Sequence, residues 1–389
     1  MDAPRVQVRV LTHSHMSDDN TTVLLSNGVR LPMVGFGCAG KLNRVPIGEA
    51  LAAGFTLFDT SQAPEWYSEE ELGAAVNASA VPRERLFLTT KLHPRDLGHA
   101  STLAAFPASL RHLRTSYVDA FLLHYPRCFG SLCGGVTPAG TWRDSWRALE
   151  ALYERGDVRA IGVSNFSCAL CPPSNEKNAS PHASQLTRPR CRRRRLPRLS
   201  RSPDELTELL GVARIRPHIV QSWMDPLYQA RELRATCAQH GLTFQAYSTL
   251  GTQWAGRGVK INPVIKHPVL NRIGSDLGRS AAQVALRWAV QHRVPVLPRS
   301  TRPAHLAANR QVFEFELSEE QMRAIDALDG TDPQMISMPP PPPRTCEDEN
   351  AESCGAWADA GECENNPGYM HHACAASCDT CEVASKHEL

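Results

Sequence analysis

The chain has 389 residues, of which 42% are hydrophobic and 21% charged, a balance that allows one or more globular domains with a sizeable buried core. It contains no run of about 18 apolar residues, and residues 1–21 form a polar leader without the apolar centre of a signal peptide. We therefore expect neither a membrane span nor, as the sequence stands, export. The formal charge of +2 hides a basic segment, because residues 168–201 hold eight Arg and one Lys against one Glu.

Strand-like and helix-like segments alternate after the leader. Residues 22–37 predict two extended runs joined at Asn27-Gly28, a dipeptide typical of β-hairpins. Between later strands, apolar residues recur at three- and four-residue spacing, as in residues 141–156 and 280–292. The eight predicted strands are residues 33–37, 55–60, 85–92, 118–126, 159–166, 218–224, 243–250 and 294–301.

Eight short apolar strands alternating with amphipathic helices predict an α/β fold. We expect a closed (β/α)8 TIM barrel with an N-terminal β-hairpin over residues 22–331, with an open doubly wound sheet as the alternative. In such a barrel, polar residues at the C-terminal ends of the strands face the active site. The strand ends collect Asp59, Lys91, His124, Ser164, Asn165, Gln221, Tyr247 and Arg299.

Two segments do not fit the alternation. Residues 168–201 have no periodic apolar face and predict a disordered insertion, although a nuclear-localisation or nucleic-acid patch and translated non-coding sequence are alternatives. The insertion has no aromatic residue for base stacking, and we expect no nucleic-acid partner. Five consecutive prolines at 339–343 lie in a linker, residues 332–344, so a separate module should follow.

The strand-end residues suit proton transfer. A phenol has a pKa of about 10, and a neighbouring cation would lower that pKa. Lys91 can be this cation, held in place by Asp59, while His124 can hydrogen-bond and orient a substrate carbonyl. Singly, each residue could instead be structural, but their joint occurrence on successive strands favours an active site.

The barrel resembles the aldo-keto reductase family in FDTSQAPEWYSEEELG, TTKL, LLHYP, LEALYERGDVRAIGVSNFS and QAYSTLG, in order and at family-like spacing apart from the insertion. The resemblance implies that Asp59, Lys91 and His124 belong to a catalytic tetrad that reduces a small carbonyl substrate, in a fold without a metal site. We expect the protein to be a monomer.

The fourth tetrad member, a tyrosine, is where the sequence departs from the family. The usual position, five residues after the aspartate, holds Pro64, and counting back from Gly73 gives Trp66. Tyr67 is the only tyrosine in this loop, and we expect it to be the general acid. The alternative is that Tyr67 is an aromatic lid residue on a catalytically silent barrel that serves as a binding scaffold.

The resemblance also implies NADPH as the hydride donor, with NADH as the alternative. Ser164, Asn165 and Gln221 match the residues that hold the nicotinamide carboxamide, and Tyr247 matches the tyrosine that stacks on its ring. The remaining implied cofactor residues are Ser248, Leu250, Arg299, Ser300, His305 and Asn309. Arg299 replaces the usual lysine for the 2′-phosphate and keeps its charge, whereas His305 replaces an arginine and weakens the implied preference for NADP.

Residues 345–381 carry six cysteines, too short a segment to bury a stabilising core without cross-links, and zinc binding is the alternative use. The spacing resembles the ShK toxin-like (ShKT) domain. That resemblance implies the pairs Cys346–Cys381, Cys354–Cys374 and Cys363–Cys378, and a protein partner rather than channel block. The tail, residues 382–389, ends in KHEL, one residue away from a lumenal retrieval signal. We expect the endoplasmic reticulum lumen or secretory pathway if the N-terminus is incomplete, and the cytoplasm otherwise.

Overall fold

A computed structural model describes residues 21–129, 132–166, 205–331 and 333. The described chain opens with the predicted hairpin, in which β1 (Thr22–Leu24) pairs antiparallel with β2 (Arg30–Pro32). Gly28 has a φ of +83°, a backbone conformation that favours glycine, and its N–H donates to the carbonyl of Leu25 at 2.9 Å. The hairpin prediction is confirmed.

Seven parallel strands follow in one sheet, and their spatial order is their sequence order. The strands are β3 (Phe36–Gly37), β4 (Leu57–Asp59), β5 (Phe87–Leu92), β6 (Val118–Leu123), β7 (Val158–Ser164), β8 (Ile219–Trp223) and β9 (Thr243–Tyr247). β5 and β6 are buried at every position, because helices cover one face and the barrel interior the other. That two-sided burial explains why these strands are continuous apolar runs in the sequence.

The eighth strand is reduced to one bridging residue. Val296 forms a parallel bridge with Val34 on one side and with Ala246 on the other, so the sheet closes on itself. The predicted strand over residues 294–301 is therefore too long. Pro295 and Pro298 have no N–H to donate, so their carbonyls only accept, and Val296 is the residue of this segment that both donates to Met33 and accepts from Gly35. The closed (β/α)8 barrel is confirmed, and the open sheet is wrong.

Helices connect the strands and surround the barrel. They are α1 (Arg44–Ala52), α2 (Glu69–Ala78), α3 (His99–Leu113), α4 (Trp142–Glu154), α5 (Glu205–Val212), α6 (Arg231–His240), α7 (Pro268–Leu277), α8 (Ala281–Gln291), α9 (Pro303–Arg310) and α10 (Glu319–Asp326). Ser280 and Gln283 form a capping box that starts α8, and Gly241, with a φ of +68°, ends α6. Within the described residues, no helix is both long and apolar enough to cross a bilayer.

The interior of the barrel is plugged at the end where the strands begin. A cluster of buried side chains fills it, and Leu25 and Leu31 of the hairpin pack into that cluster. The strand members of the cluster include Leu57, Phe87 and Leu122. Because this end is closed by apolar side chains, a ligand can enter the barrel only from the C-terminal ends of the strands.

Five predicted regions lie outside the described residues. They are the leader up to residue 20, the insertion 168–201, the linker beyond Pro333, the cysteine-rich module and the tail 382–389. Their predicted structures, including the three disulfides of the module, stay predictions.

Candidate active site

A cleft of about 1150 Å³ opens at the C-terminal ends of the strands. Ten of the predicted site residues line it: Asp59, Tyr67, His124, Ser164, Asn165, Gln221, Tyr247, Ser248, Leu250 and Arg299. Lys91 lies directly beneath the floor and is only 1% exposed. The strand-end residues that the sequence collected therefore meet at one site.

Asp59 and Lys91 form a buried ion pair at the floor of the cleft. β4 and β5 are neighbours, and their ends place Lys91 Nζ 2.5 Å from Asp59 Oδ1 and 2.8 Å from the carbonyl oxygen of Thr60. Asp59 Oδ2 accepts a hydrogen bond from Gln221 Nε2 at 2.7 Å. Both carboxylate oxygens are thus engaged, which is what a buried charge pair needs to be stable.

Tyr67 lies over this ion pair. A tight turn, closed by a 2.9 Å bond from the N–H of Tyr67 to the carbonyl of Ala63, brings its ring to within 5.0 Å of Lys91 Nζ. No group of the described residues hydrogen-bonds the Tyr67 hydroxyl, and the ring lines the cleft. Trp66 lies at the rim, 36% exposed, with its ring 5.9 Å from that of His124. Of the two aromatic residues, Tyr67 is the one above Lys91.

The prediction that Lys91 lowers the pKa of the Tyr67 phenol is wrong. Burial raises the pKa of Tyr67 well above its ordinary value, and the negative charge of Asp59 raises it further. Lys91 does not reverse this, because its ammonium is already neutralised by Asp59 and approaches the ring rather than making a hydrogen bond to the hydroxyl. The phenol therefore keeps its proton at neutral pH.

His124 is a neutral imidazole beside Tyr67. Burial lowers its pKa well below the ordinary value, and the positive charge of Lys91 lowers it further. Its Nδ1 lies 3.0 Å from Ser61 Oγ, and that oxygen also accepts the N–H of Ala63 at 3.1 Å. Ser61 was not among the predicted residues. Its position two residues after Asp59, in the same loop as Tyr67, was the available signal.

Three polar residues of the cleft, Ser164, Asn165 and Gln221, form what we call the amide wall. Asn165 adopts a left-handed backbone with a φ of +58°, and its Nδ2 donates to the carbonyl of His124 at 3.0 Å and to Ser164 Oγ at 3.1 Å. Its Oδ1 accepts the hydroxyl of Tyr247 at 2.6 Å. Asn165 is therefore fixed in orientation by three hydrogen bonds, while the hydroxyl hydrogen of Ser164 has no acceptor among the described residues.

Gln221 completes the wall through a partner that the sequence did not indicate. Its Nε2 donates to Asp59 Oδ2 and, at 2.9 Å, to Oε1 of Gln245, which projects from β9 into the barrel. Both amide hydrogens of Gln221 are thus used, and its Oε1 is left to accept a hydrogen bond in the cleft. A glutamine within the otherwise apolar run of β9 was the sequence signal for Gln245.

The outer wall is an aromatic loop closed by a disulfide. Tyr125 stacks at 4.6 Å on His124, and Phe129 packs at 4.8 Å against Tyr125. Phe129 lies next to Cys128, which is bonded to Cys133, and Phe129 and Leu132 both line the cleft. This disulfide was not predicted, because Cys128 and Cys133 are separated from the cysteine-rich tail that drew attention to disulfides.

Arg299 lies at the far end of the cleft, where its Nη1 donates to the carbonyl of Ala39 at 2.7 Å. Three predicted cofactor residues are not among the described residues that line the cleft. Ser300 Oγ accepts the N–H of Arg302 at 3.0 Å, just before α9, while on α9 His305 is exposed and Asn309 is buried. The structure thus brings Arg299 into the site and leaves these three beside it.

Comparison with known proteins assigns the fold and the cleft to a family. The model described as the Aldo/keto reductase family matches residues 43–183 and 200–330. The chain belongs to the aldo-keto reductase family. A second model, described as ShK domain-like, matches residues 345–381, so an ShK-like domain follows the reductase barrel.

Proteins similar to this chain include reductases, and the similarity extends over most of their length. The 9,11-endoperoxide prostaglandin H2 reductase of Trypanosoma cruzi is 33% identical over 318 residues, covering 80% of this chain and 93% of that protein. Glyoxal reductase of Bacillus subtilis is 33% identical over 311 residues, covering 79% and 92%. A solved aldo/keto reductase from Brucella melitensis is 31% identical with a TM-score of 0.62, covering 79% of this chain and 99% of that one. This aldo-keto reductase is therefore an oxidoreductase.

Proposed function

We propose that the barrel reduces an aldehyde or ketone to an alcohol, with NADPH as the hydride donor and Tyr67 as the general acid. The observation that carries the proposal is the placement of a protonated phenol and a neutral imidazole side by side above a buried Lys-Asp pair. The rings of Tyr67 and His124 lie 5.9 Å apart, edge to face. A carbonyl oxygen in the cleft can reach both groups.

The cleft fits a dinucleotide together with a small substrate. Its volume of about 1150 Å³ exceeds that of most sites for a single small ligand, which are about 300–1000 Å³. The hydroxyl of Ser164 and Oε1 of Gln221 offer one donor and one acceptor, as a carboxamide requires. The buried hydroxyl of Thr249, in the cleft wall, also lacks a partner among the described residues.

Each end of the cofactor has a matching group. Tyr247 presents an aromatic ring to the cleft beside the amide wall, which suits a nicotinamide ring. Arg299 supplies the cation for a phosphate at the other end. When bound by these residues, NADPH would supply the hydride for the carbonyl carbon.

His124 orients the substrate carbonyl. With Ser61 as the donor to Nδ1, the imidazole carries its proton on Nε2 and can donate it to the carbonyl oxygen. The imidazole stays neutral because its pKa is lowered by burial. It therefore polarises the carbonyl without competing with Tyr67 to transfer a full proton.

Tyr67 then protonates the oxygen as negative charge develops on it. The raised pKa ensures that the phenol holds a proton before the reaction. After transfer, the phenolate lies near the Lys91 ammonium, 5.0 Å from its ring centre, and a proton from solvent restores the phenol. Trp66 cannot replace it, because an indole N–H does not ionise usefully near neutral pH.

The test is Tyr67→Phe, with Trp66→Phe as the matched control from the same loop. We expect Tyr67→Phe to bind NADPH with unchanged affinity in calorimetry but to reduce a generic aldehyde at least about 100-fold more slowly, the usual loss for a general acid. Trp66→Phe should keep turnover within about fivefold, since it removes no proton donor to the substrate. Near wild-type turnover by Tyr67→Phe would place the acid elsewhere. A wild-type protein that binds no NADPH would instead favour a silent scaffold.

A further inference from the structure

Asp225 is a buried carboxylate that the proposed reaction does not use. It follows β8 directly and is 0% exposed. Oδ1 accepts the backbone N–H groups of Leu227 at 2.8 Å and Tyr228 at 3.1 Å. Oδ2 accepts the indole N–H groups of Trp223 at 2.9 Å and Trp254 at 2.8 Å. Four donors therefore converge on one carboxylate.

One of these donors belongs to the wall of the cleft. Trp254 lies in a short 3-10 helix, Thr252–Arg257, that follows β9. We call residues 248–257 the cofactor wall, because seven of them line the cleft: Ser248, Thr249, Leu250, Thr252, Gln253, Gly256 and Arg257. Trp254 itself points away from the cleft into the protein and is 9% exposed. Its indole thus anchors the wall from behind.

The other anchor lies at a different point of the wall. Asn262 Nδ2 donates to the carbonyl of Leu250 at 2.8 Å, near the start of the cofactor wall. The ring of Trp254 packs edge to face against Trp223 at 5.1 Å, and the guanidinium of Arg257 lies 4.7 Å above the Trp223 ring. The end of the wall that contains Trp254 and Arg257 is therefore attached to β8 through Trp223 and Asp225.

An ionised carboxylate can accept all four of these hydrogen bonds. All four partners are donors that cannot accept, so a proton on either oxygen would face an N–H group. An asparagine would offer one oxygen and turn its NH2 group toward two donors at the other position. Burial raises the pKa of Asp225 to about 7, and its four hydrogen bonds act in the opposite direction by favouring the charged form.

We propose that Asp225 is a positioning residue that fixes the cofactor wall to β8 through Trp254 and so sets the affinity for the dinucleotide. This inference rests on the proposed function, because it requires that the cleft bind NADPH. Asp225 does not touch the reacting atoms. Its loss should therefore weaken cofactor binding and leave the proton-transfer groups at the cleft floor in place.

The first test is Asp225→Asn in the full-length protein. We expect calorimetry to give a dissociation constant for NADPH at least about tenfold higher than that of the wild type, because a wall released from Asp225 occupies its binding position for only a fraction of the time. Turnover at saturating NADPH and aldehyde should fall by no more than about threefold, because catalysis by Tyr67 and His124 is retained. Unchanged NADPH affinity in folded Asp225→Asn would overturn the proposal.

Trp254→Phe tests the same contact from the other side. It keeps an aromatic ring against Trp223 but removes the N–H, so it should also weaken NADPH binding about tenfold. In the double variant, the two losses should not multiply, since both remove one contact. Losses that do multiply would show that Asp225 acts by another route and would overturn the proposal. If Asp225→Asn does not fold, Trp254→Phe alone decides by the same affinity criterion.

Trp288→Phe is the matched control. Trp288 is buried in α8, and its indole N–H donates to Asp326 at 2.8 Å, a contact of the same kind among residues that do not line the cleft. We expect this variant to lower the unfolding temperature but to leave the NADPH affinity unchanged. An equal loss of NADPH affinity in Trp288→Phe would show that Asp225 affects binding only through the overall stability of the fold, and would overturn the proposal. Absence of NADPH binding by the wild type would contradict the proposed function instead.

Discussion

Arg299 is held by one terminal nitrogen of its guanidinium and lines the cleft. One guanidinium nitrogen donates to the carbonyl of Ala39, and the adjoining Gly40, with a φ of +98°, leaves space for the guanidinium. A Cβ at Gly40 would lie 1.8 Å from Arg299 Nη1, so only glycine allows this placement. The remaining donors of Arg299 face the cleft, where they suit bidentate binding of a phosphate.

We expect Arg299→Ala to weaken NADPH binding about 10- to 100-fold, the range for a charge-assisted pair, and to change NADH binding by less than about threefold. The physical reason is that only NADPH carries the 2′-phosphate. Calorimetric titration with both cofactors measures the two constants. Arg299→Lys serves as the control, because it keeps the charge but lacks the planar guanidinium. Its affinity for NADPH should lie between those of the wild type and Arg299→Ala. Equal losses for NADPH and NADH in Arg299→Ala would place the phosphate away from this residue.

The sequence predicted which residues would meet, but not how they would bond. Strand-end positions were sufficient for Asp59, Lys91 and Gln221, because parallel strands deliver their ends to one edge. The Gln245 partner of Gln221 depends on the register between β8 and β9, which pairs Gln221 with Gln245. The pKa of Tyr67 was predicted in the wrong direction, since a charge-only argument ignored the cost of burying an anion.

Among the elements, the loop after β6 forms one wall of the cleft. The Cys128–Cys133 bond joins its two sides, and Phe129 and Leu132 lie between them. Gly134 and Gly135 follow directly, both with positive φ, so the chain beyond the disulfide has little intrinsic stiffness. The covalent link, together with the packing of Phe129 against Tyr125, therefore restrains the two apolar side chains at the cleft.

We expect the double variant Cys128→Ser/Cys133→Ser to raise the KM for a bulky hydrophobic aldehyde by about threefold or more, because Phe129 and Leu132 are then held less firmly. The KM for a small aldehyde and the affinity for NADPH should stay unchanged, since neither depends on this wall. Steady-state kinetics with the two aldehydes make the comparison. A thiol reductant should reproduce the effect in the wild type and add nothing in the variant. Unchanged selectivity would show that the wall is rigid without its disulfide.

The elements themselves followed from the sequence where packing and local propensity agreed. Alternation of apolar strands and amphipathic helices predicted the barrel, and the capping signals at Ser280 and Gly241 mark where α8 begins and α6 ends. The eighth strand was predicted too long because its apolar pattern outweighed Pro295 and Pro298, which cannot donate to the ladder. The Asp225–Trp254 contact joins elements that are 29 residues apart, and no local pattern indicates such a pair.

At the scale of the whole molecule, buried imidazoles make stability depend on pH. Burial lowers the pKa of His93, His124 and His218 from the ordinary value of about 6.5. His218 Nδ1 accepts the N–H of Ile161 at 3.1 Å, a bond that a protonated ring cannot accept. Because the unfolded state binds these protons more readily, their stabilisation is present above pH 6.5 and is lost as the pH falls below it. Asp225 has the opposite effect. Because its pKa is raised in the folded state, its contribution to the stability of the fold is lost as the pH rises from about 4 to 7.

On acidification, the stability lost through His93, His124, His218 and the half-buried His267, whose pKa burial also lowers, outweighs the stability gained through Asp225. We therefore expect the unfolding temperature to be lower at pH 5.5 than at pH 7.5 by about 3 °C or more. Differential scanning calorimetry at the two pH values measures this. The control is His218→Gln, whose side-chain oxygen can still accept the Ile161 N–H but does not titrate. This variant should show a smaller difference between its unfolding temperatures at pH 5.5 and pH 7.5 than the wild type does. A wild-type unfolding temperature that is equal or higher at pH 5.5 would contradict the expected balance.

The single-residue closure of the barrel has a mechanical consequence. β5 and β6 pair along four residues, whereas the seam between β9 and β3 depends on Val296 and a few backbone bonds around it. This seam is therefore one of the shorter pairings of the barrel, and we expect it to open locally more readily than the pairing of β5 with β6. Arg299 reaches across it to Ala39, at the end of the cleft where we place the cofactor phosphate. A dinucleotide bound there would join the two sides of this seam, so that cofactor binding and closure of the barrel reinforce each other.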